Sequence, residues 1–158
     1  MNDLTELMNY TYDLCEDGNY GDAIQYFDAI LQKDPRNIRI IIDKGVTLVN
    51  LRRFDEAIEC YNNALRVDHN NTDALINKGA ALHGKGQYRK AIACYDSALK
   101  ISPKMALALT YKGLALGELG MLKDAIWNFD KALSIDNKLD LAINNRKIAL
   151  ELSKSVNR

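Results

Sequence analysis

Apolar residues recur along this chain in a nine-residue phrase that returns four times, 34 residues apart. It reads Ala23-Ile24-x-x-Phe27-x-x-Ile30-Leu31, then Ala57-Ile58-x-x-Tyr61-x-x-Ala64-Leu65. It returns as Ala91-Ile92-x-x-Tyr95-x-x-Ala98-Leu99 and as Ala125-Ile126-x-x-Phe129-x-x-Ala132-Leu133. Offsets of four, seven and eight put these residues on one stripe of an amphipathic helix. A second helical pattern precedes each phrase: Ile41-x-x-Lys44-Gly45-x-x-Leu48, Leu75-x-x-Lys78-Gly79-x-x-Leu82 and Leu109-x-x-Lys112-Gly113-x-x-Leu116. A constant period of this length marks stacked units, none of which can bury its apolar face alone.

The breaks are as regular as the helices. Gly18-Asn19, Arg52-Arg53, Gly86-Gln87 and Gly120-Met121 divide the two helices of each pair. Asp34-Pro35-Arg36-Asn37, Asp68-His69-Asn70-Asn71, Ser102-Pro103 and Asp136-Asn137-Lys138 divide one pair from the next, with helix-stopping chemistry. The pattern predicts helices over 4–17, 20–33, 38–51, 54–67, 72–85, 88–101, 106–119, 122–135 and 140–154. Short loops force neighbours to be antiparallel. The expected fold is all-α, an α-α superhelix (solenoid) of antiparallel helix pairs forming one domain over 1–158. Glycine inside a helix costs about 1 kcal/mol against alanine. Gly45, Gly79 and Gly113 therefore imply close approach of paired helices, with Ala57, Ala91 and Ala125 expected opposite them.

These residues resemble the tetratricopeptide repeat, W-x-x-L-G-x-x-Y…A-x-x-x-F…P over 34 residues. The resemblance covers repeats at 4–37, 38–71, 72–105 and 106–139, with a capping helix at 140–154. Leu7, Ile41, Leu75 and Leu109 stand at the Trp place. Tyr10, Lys44, Lys78 and Lys112 replace the Leu before the glycine, and Thr11 replaces the first glycine. The proline persists as Pro35 and Pro103. Asp3 with Glu6 suggests a variant capping box, and Met1 reads as a native start. Lys147, at the glycine place of the last helix, fits a cap against which no further helix packs, with Asn144, Asn145, Glu151 and Lys154 as polar cover.

The resemblance implies a protein-binding scaffold whose first helices line a concave wall with their second, fifth, ninth and twelfth positions. Those positions nominate Met8, Ile42, Ile76 and Thr110 at the fifth place, and Tyr12, Val46, Ala80, Leu114 and Ile148 at the ninth. Leu107 and Leu141 join from the second place and Val49 from the twelfth. Members that clamp a C-terminal carboxylate carry Lys, Asn and Arg at the fifth and ninth places, and none of the four repeats here has one there. The expected partner is a protein or peptide segment with apolar anchors, held in an apolar groove; self-association through the groove is the alternative. Trp127 is expected on the outer face, partly exposed.

Composition narrows the choice further. No apolar run approaches the ~20 residues of a membrane span. Cys15, Cys60 and Cys94 form no CxxC pair and fit a reducing cytoplasm. Formal charge sums to zero, which with no aromatic-interleaved basic face argues against nucleic acid. Its distribution is uneven. Residues 1–37 hold eight acids against Lys33 and Arg36, residues 72–105 six bases against Asp73 and Asp96, and residues 140–158 four bases against two acids. Two readings stand: unrelated solvated positions, or charged ends that associate head to tail. Lys44, Lys78, Lys112 and Arg146 read as a solvated ridge. His69 reads as a turn residue, and no phosphate loop, HExxH or nucleophile elbow is present. The expectation is a non-catalytic protein with no metal and no cofactor.

Overall fold

The computed structural model describes residues 4–156. The described residues form helices α1 (Leu4–Glu16), α2 (Tyr20–Lys33), α3 (Ile38–Asn50), α4 (Phe54–Val67), α5 (Thr72–Gly84), α6 (Tyr88–Ile101), α7 (Ala106–Glu118), α8 (Leu122–Ile135) and α9 (Asp140–Val156). The proposed Asp3 cap lies outside them. Each second helix matches its predicted span. Each first helix of a pair stops one residue short, at a turn that is the same in all four repeats. There the N–H groups of Asn19, Arg53, Gln87 and Met121 donate to the carbonyls of Leu14, Leu48, Leu82 and Leu116 at 2.8–2.9 Å. This six-to-one bond closes a Schellman turn, which needs one left-handed residue. Gly18, Gly86 and Gly120 supply it with φ of 77°, 73° and 73°, and Arg52 supplies it with φ of 58°.

Second helices end differently. Asp34, Asp68, Ser102 and Asp136 turn to extended backbone, with φ between −138° and −130°. Asn37 and Asn71 then start α3 and α5, their side-chain oxygens accepting from the N–H groups of Ile40 and Ala74.

The chain divides into two compact units, residues 1–81 and 82–158, and the division falls inside α5. In the first unit, Leu7, Leu14, Ala23, Phe27, Ile30 and Ile40 make one apolar cluster. Ile41, Leu48, Ala57, Tyr61, Ala64 and Ala81 belong to the next. In the second unit, Leu109, Leu116, Ala125, Phe129, Ala132 and Ala142 belong to the core of α7, α8 and α9. The helix glycines correct one expectation. The group opposite them is the aromatic ring four residues beyond the expected alanine: a Cβ on Gly113 would stand 2.6 Å from a ring carbon of Phe129, and Gly45 faces Tyr61 in the same way. At Thr11 the place holds a buried hydroxyl, which donates to the Leu7 carbonyl at 2.7 Å.

The basic row is also corrected. Lys44 Nζ lies 2.5 Å from Asp28 Oδ1, and Lys112 Nζ lies 2.6 Å from Asp96 Oδ1. Arg146 pairs with Asp130 in the same register. Each base thus reaches the acid 16 residues earlier, on the second helix of the preceding pair. At Lys78 that place is Asn62. What reads as a solvated ridge is a ladder of ion pairs with one rung lacking its acid.

Candidate functional site

In the first unit, α1, α2 and α3 enclose a cleft of about 330 Å³ lined by Tyr12, Cys15, Glu16, Tyr20, Phe27, Asp43, Val46, Thr47 and Asn50. The Tyr12 hydroxyl donates to Asp43 Oδ2 at 2.6 Å, and the Tyr12 ring stands edge-on to Phe27, centroids 6.2 Å apart. Burial, then the bond to Asp43, pushes the Tyr12 phenol up to about 12. The Arg39 guanidinium sits 5.7 Å from the Tyr12 ring centre, and its Nε lies 3.8 Å from Asp43. Beneath them the Thr47 hydroxyl donates to the Asp43 carbonyl, and Cys15 Sγ lies 3.6 Å from Thr47 Oγ1. Of the nominated residues here Val46 is exposed, while Met8, Tyr12, Ile42, Val49 and Ala80 are half-buried. The wall of this unit is therefore mixed rather than apolar.

The second unit carries the apolar surface. Leu107, Leu141 and Ile148 are 42%, 37% and 53% exposed, large values for branched aliphatic side chains. Leu114 is half-buried beside them. Between α7, α8 and α9 lies a cleft of about 270 Å³, where Leu114, Gly117, Leu122, Ile148 and Leu152 meet, with Glu118 and Asn145 at its polar side. Leu152, half exposed, is a residue that sequence reasoning missed. A step of four from Ile148 along α9 finds it.

Two nominated residues are buried: Ile76, and Thr110, whose hydroxyl donates to the Ala106 carbonyl at 2.8 Å. At the fifth place of α5 and α7 the side chain is thus buried, whereas Met8 and Ile42 at the same place are half-buried. Trp127 is 55% exposed, with Lys131 Nζ 4.5 Å from its ring centre. On the capping helix Asn144, Lys147, Glu151 and Lys154 face solvent, but so does Ile143. Among the described residues no disulfide joins Cys15, Cys60 or Cys94, and burial pushes the Cys60 thiol up. Among the described residues no three of His, Cys, Asp and Glu converge as a metal site, and no helix is long and apolar enough to cross a membrane.

A row of antiparallel helix pairs with exposed apolar side chains on its first helices defines a helical-repeat protein, and comparison with known proteins gives the family. Tetratricopeptide repeat family models match residues 14–82 and 72–105, together more than half the chain. No curated protein sequence matches it. A tetratricopeptide repeat protein from Parabacteroides merdae has a similar structure, with TM-score 0.82 at 24% identity, covering 98% of this chain and 61% of that one. MamA from Desulfovibrio magneticus gives 0.78 at 20% identity, covering 99% and 94%. The first repeat domain of Spaghetti (RPAP3), determined bound to the HSP90 peptide SRMEEVD, gives 0.70 at 20%, covering 77% and 94%. The chain belongs to the tetratricopeptide repeat family, and its fold is that family's α-α solenoid. This fold is a protein–protein interaction scaffold.

Proposed function

We propose that this protein is a non-catalytic scaffold that holds an apolar segment of a partner protein on its second unit. The segment is an amphipathic helix or an extended stretch with spaced apolar anchors. The observation that carries the reading is the cleft where exposed Ile148 and Leu152 meet half-buried Leu114, with Leu107 and Leu141 exposed seven residues before Leu114 and Ile148 on the same helices. Exposed apolar side chains gathered at a cleft mark interaction sites. An acidic ligand such as the peptide held by the RPAP3 domain finds no Lys or Arg at the fifth or ninth places, where Thr110, Asn144, Leu114 and Ile148 stand in this unit. The odd, scattered set Cys15, Cys60 and Cys94, with no CxxC pair, supports a reducing compartment, the cytoplasm.

The test is selection from a displayed peptide library against the wild-type chain and against Leu107→Asp with Ile148→Asp. Both changes sit at exposed positions, so the helix signal and melting midpoint should hold. Peptides with spaced apolar residues should be enriched on the wild type alone. Enrichment of the same peptides on both proteins would refute the reading. If the wild type sediments as a dimer and the double variant as a monomer, the face binds a second copy of this chain.

A further inference from the structure

The cleft of the first unit has a chemistry that the apolar surface does not share. Three aromatic rings, Tyr12, Tyr20 and Phe27, and two carboxylates, Glu16 and Asp43, line it, and no Lys or Arg does. Its volume of about 330 Å³ is many times that of a water molecule, which takes about 30 Å³. Among the described residues Glu16 has no ion-pair partner, and it is exposed at the mouth. Around it, residues 4–37 carry seven acids against Lys33 and Arg36. The protein also displays what these groups attract. The Arg39 guanidinium, on a side chain 77% exposed, rests over the Tyr12 ring at 5.7 Å and beside Asp43 at 3.8 Å. Both contacts lie within the reach of cation–π and charge attraction. The Tyr12 hydroxyl is committed to Asp43, which fixes the ring face that a cation would meet.

We propose that this cleft takes the guanidinium or ammonium group of a basic side chain on a partner protein, seating it against Tyr12 and Tyr20, with Glu16 and Asp43 as counter-ions and the buried Phe27 ring backing Tyr12. The charge of the group selects it, since the ring quadrupoles and the carboxylates act in the same direction. Arg39 stands at the rim as an internal competitor for Asp43. This site is separate from the apolar surface of the second unit, and its occupancy does not depend on that surface being used.

The probe is the peptide acetyl-Ala-Arg-Ala-amide, followed by backbone amide NMR. Its control is the same peptide with citrulline, which keeps the shape and removes the charge. The arginine peptide should shift the amides of Glu16, Tyr20, Val46 and Asn50 to saturation, with Kd on the order of 1 mM. The citrulline peptide should bind about tenfold more weakly. Glu16→Gln should weaken the arginine peptide about threefold, Tyr20→Leu should weaken it too, and Arg39→Gln should tighten it. The same spectra show that each variant is folded. Equal binding of the two peptides, shifts that fail to saturate, or indifference to Glu16→Gln, Tyr20→Leu and Arg39→Gln alike would overturn the proposal. Loss of apolar-peptide binding by Leu107→Asp with Ile148→Asp leaves this titration unchanged, so the two readings fail independently.

Discussion

Gly45 and Tyr61 share one space: a Cβ on Gly45 would stand 2.5 Å from Tyr61 Cε1 and 2.8 Å from its Cζ. The ring is 1% exposed and cannot retreat. Alanine improves helix propensity by about 1 kcal/mol, but overpacking a core costs about 1–3 kcal/mol. Gly45→Ala should therefore destabilise by up to about 2 kcal/mol, and Tyr61→Leu in the same chain should recover part of the loss. Gly117 is the counter-case, because a Cβ there meets nothing within 4 Å. Gly117→Ala should stabilise by up to about 1 kcal/mol. Chemical denaturation of the two variants should show shifts of opposite sign.

Arg52 holds a left-handed backbone where the other three repeats use glycine. That conformation costs a side-chain-bearing residue about 1 kcal/mol. Its guanidinium recovers part by lying 5.5 Å from the Phe54 ring centre, a contact worth about 0.5 kcal/mol when exposed. Arg52→Gly should raise the melting midpoint slightly, and Gly86→Ala should lower it. A drop on Arg52→Gly would mean that the Phe54 contact outweighs the strain.

The unfilled rung at Lys78 invites a direct repair. Asn62→Asp places an acid in the register that Asp28, Asp96 and Asp130 occupy against Lys44, Lys112 and Arg146. Stability should rise by about 0.2–1 kcal/mol at low salt and return to the wild-type value at high salt. Asp96→Asn should do the reverse. A gain that persists in high salt would show that something other than charge pairing is at work.

Alkaline pH should act through buried phenols. Burial raises Tyr61 and Tyr95 above the ordinary phenol value of 10.0, and burial with the Asp43 bond raises Tyr12 to about 12. A raised folded pKa contributes stability that is complete below the unfolded value and is lost as pH rises through the folded one. The denaturant midpoint should therefore hold from neutral pH to pH 10 and fall above it. Phenolate absorbance from the fully buried Tyr61 and Tyr95 should appear together with loss of the helix signal. Their ionisation in a fully helical protein would contradict the burial assigned to them.

Much of the fold is legible in the sequence because its period is strict. The phrase Ala57-Ile58-x-x-Tyr61 sets the helix face, and Asp34, Asp68, Ser102 and Asp136 set where second helices stop. First-helix ends are harder to read, since the left-handed residue lies two places beyond the last helical one. Partners across helices are harder still. The ring opposite Gly45 and the acid opposite Lys44 depend on how neighbouring helices slide against each other, which spacing within one helix does not report. The same reason explains Thr110 and Ile76. Their register is that of a lining residue, but both are buried. The polar chemistry of the first cleft joins side chains from α1, α2 and α3 that no single segment displays.

The central claim is that exposed apolar side chains of the second unit hold a partner segment. Its most direct test is titration calorimetry of a selected apolar-anchor peptide against wild type and against Leu107→Asp with Ile148→Asp. The wild type should bind with a negative heat-capacity change, as burial of apolar surface requires, and with little dependence on salt. The double variant, equally helical, should lose binding. Affinity that survives both substitutions and vanishes at moderate salt would contradict the claim, and would place the working surface among the charged residues instead.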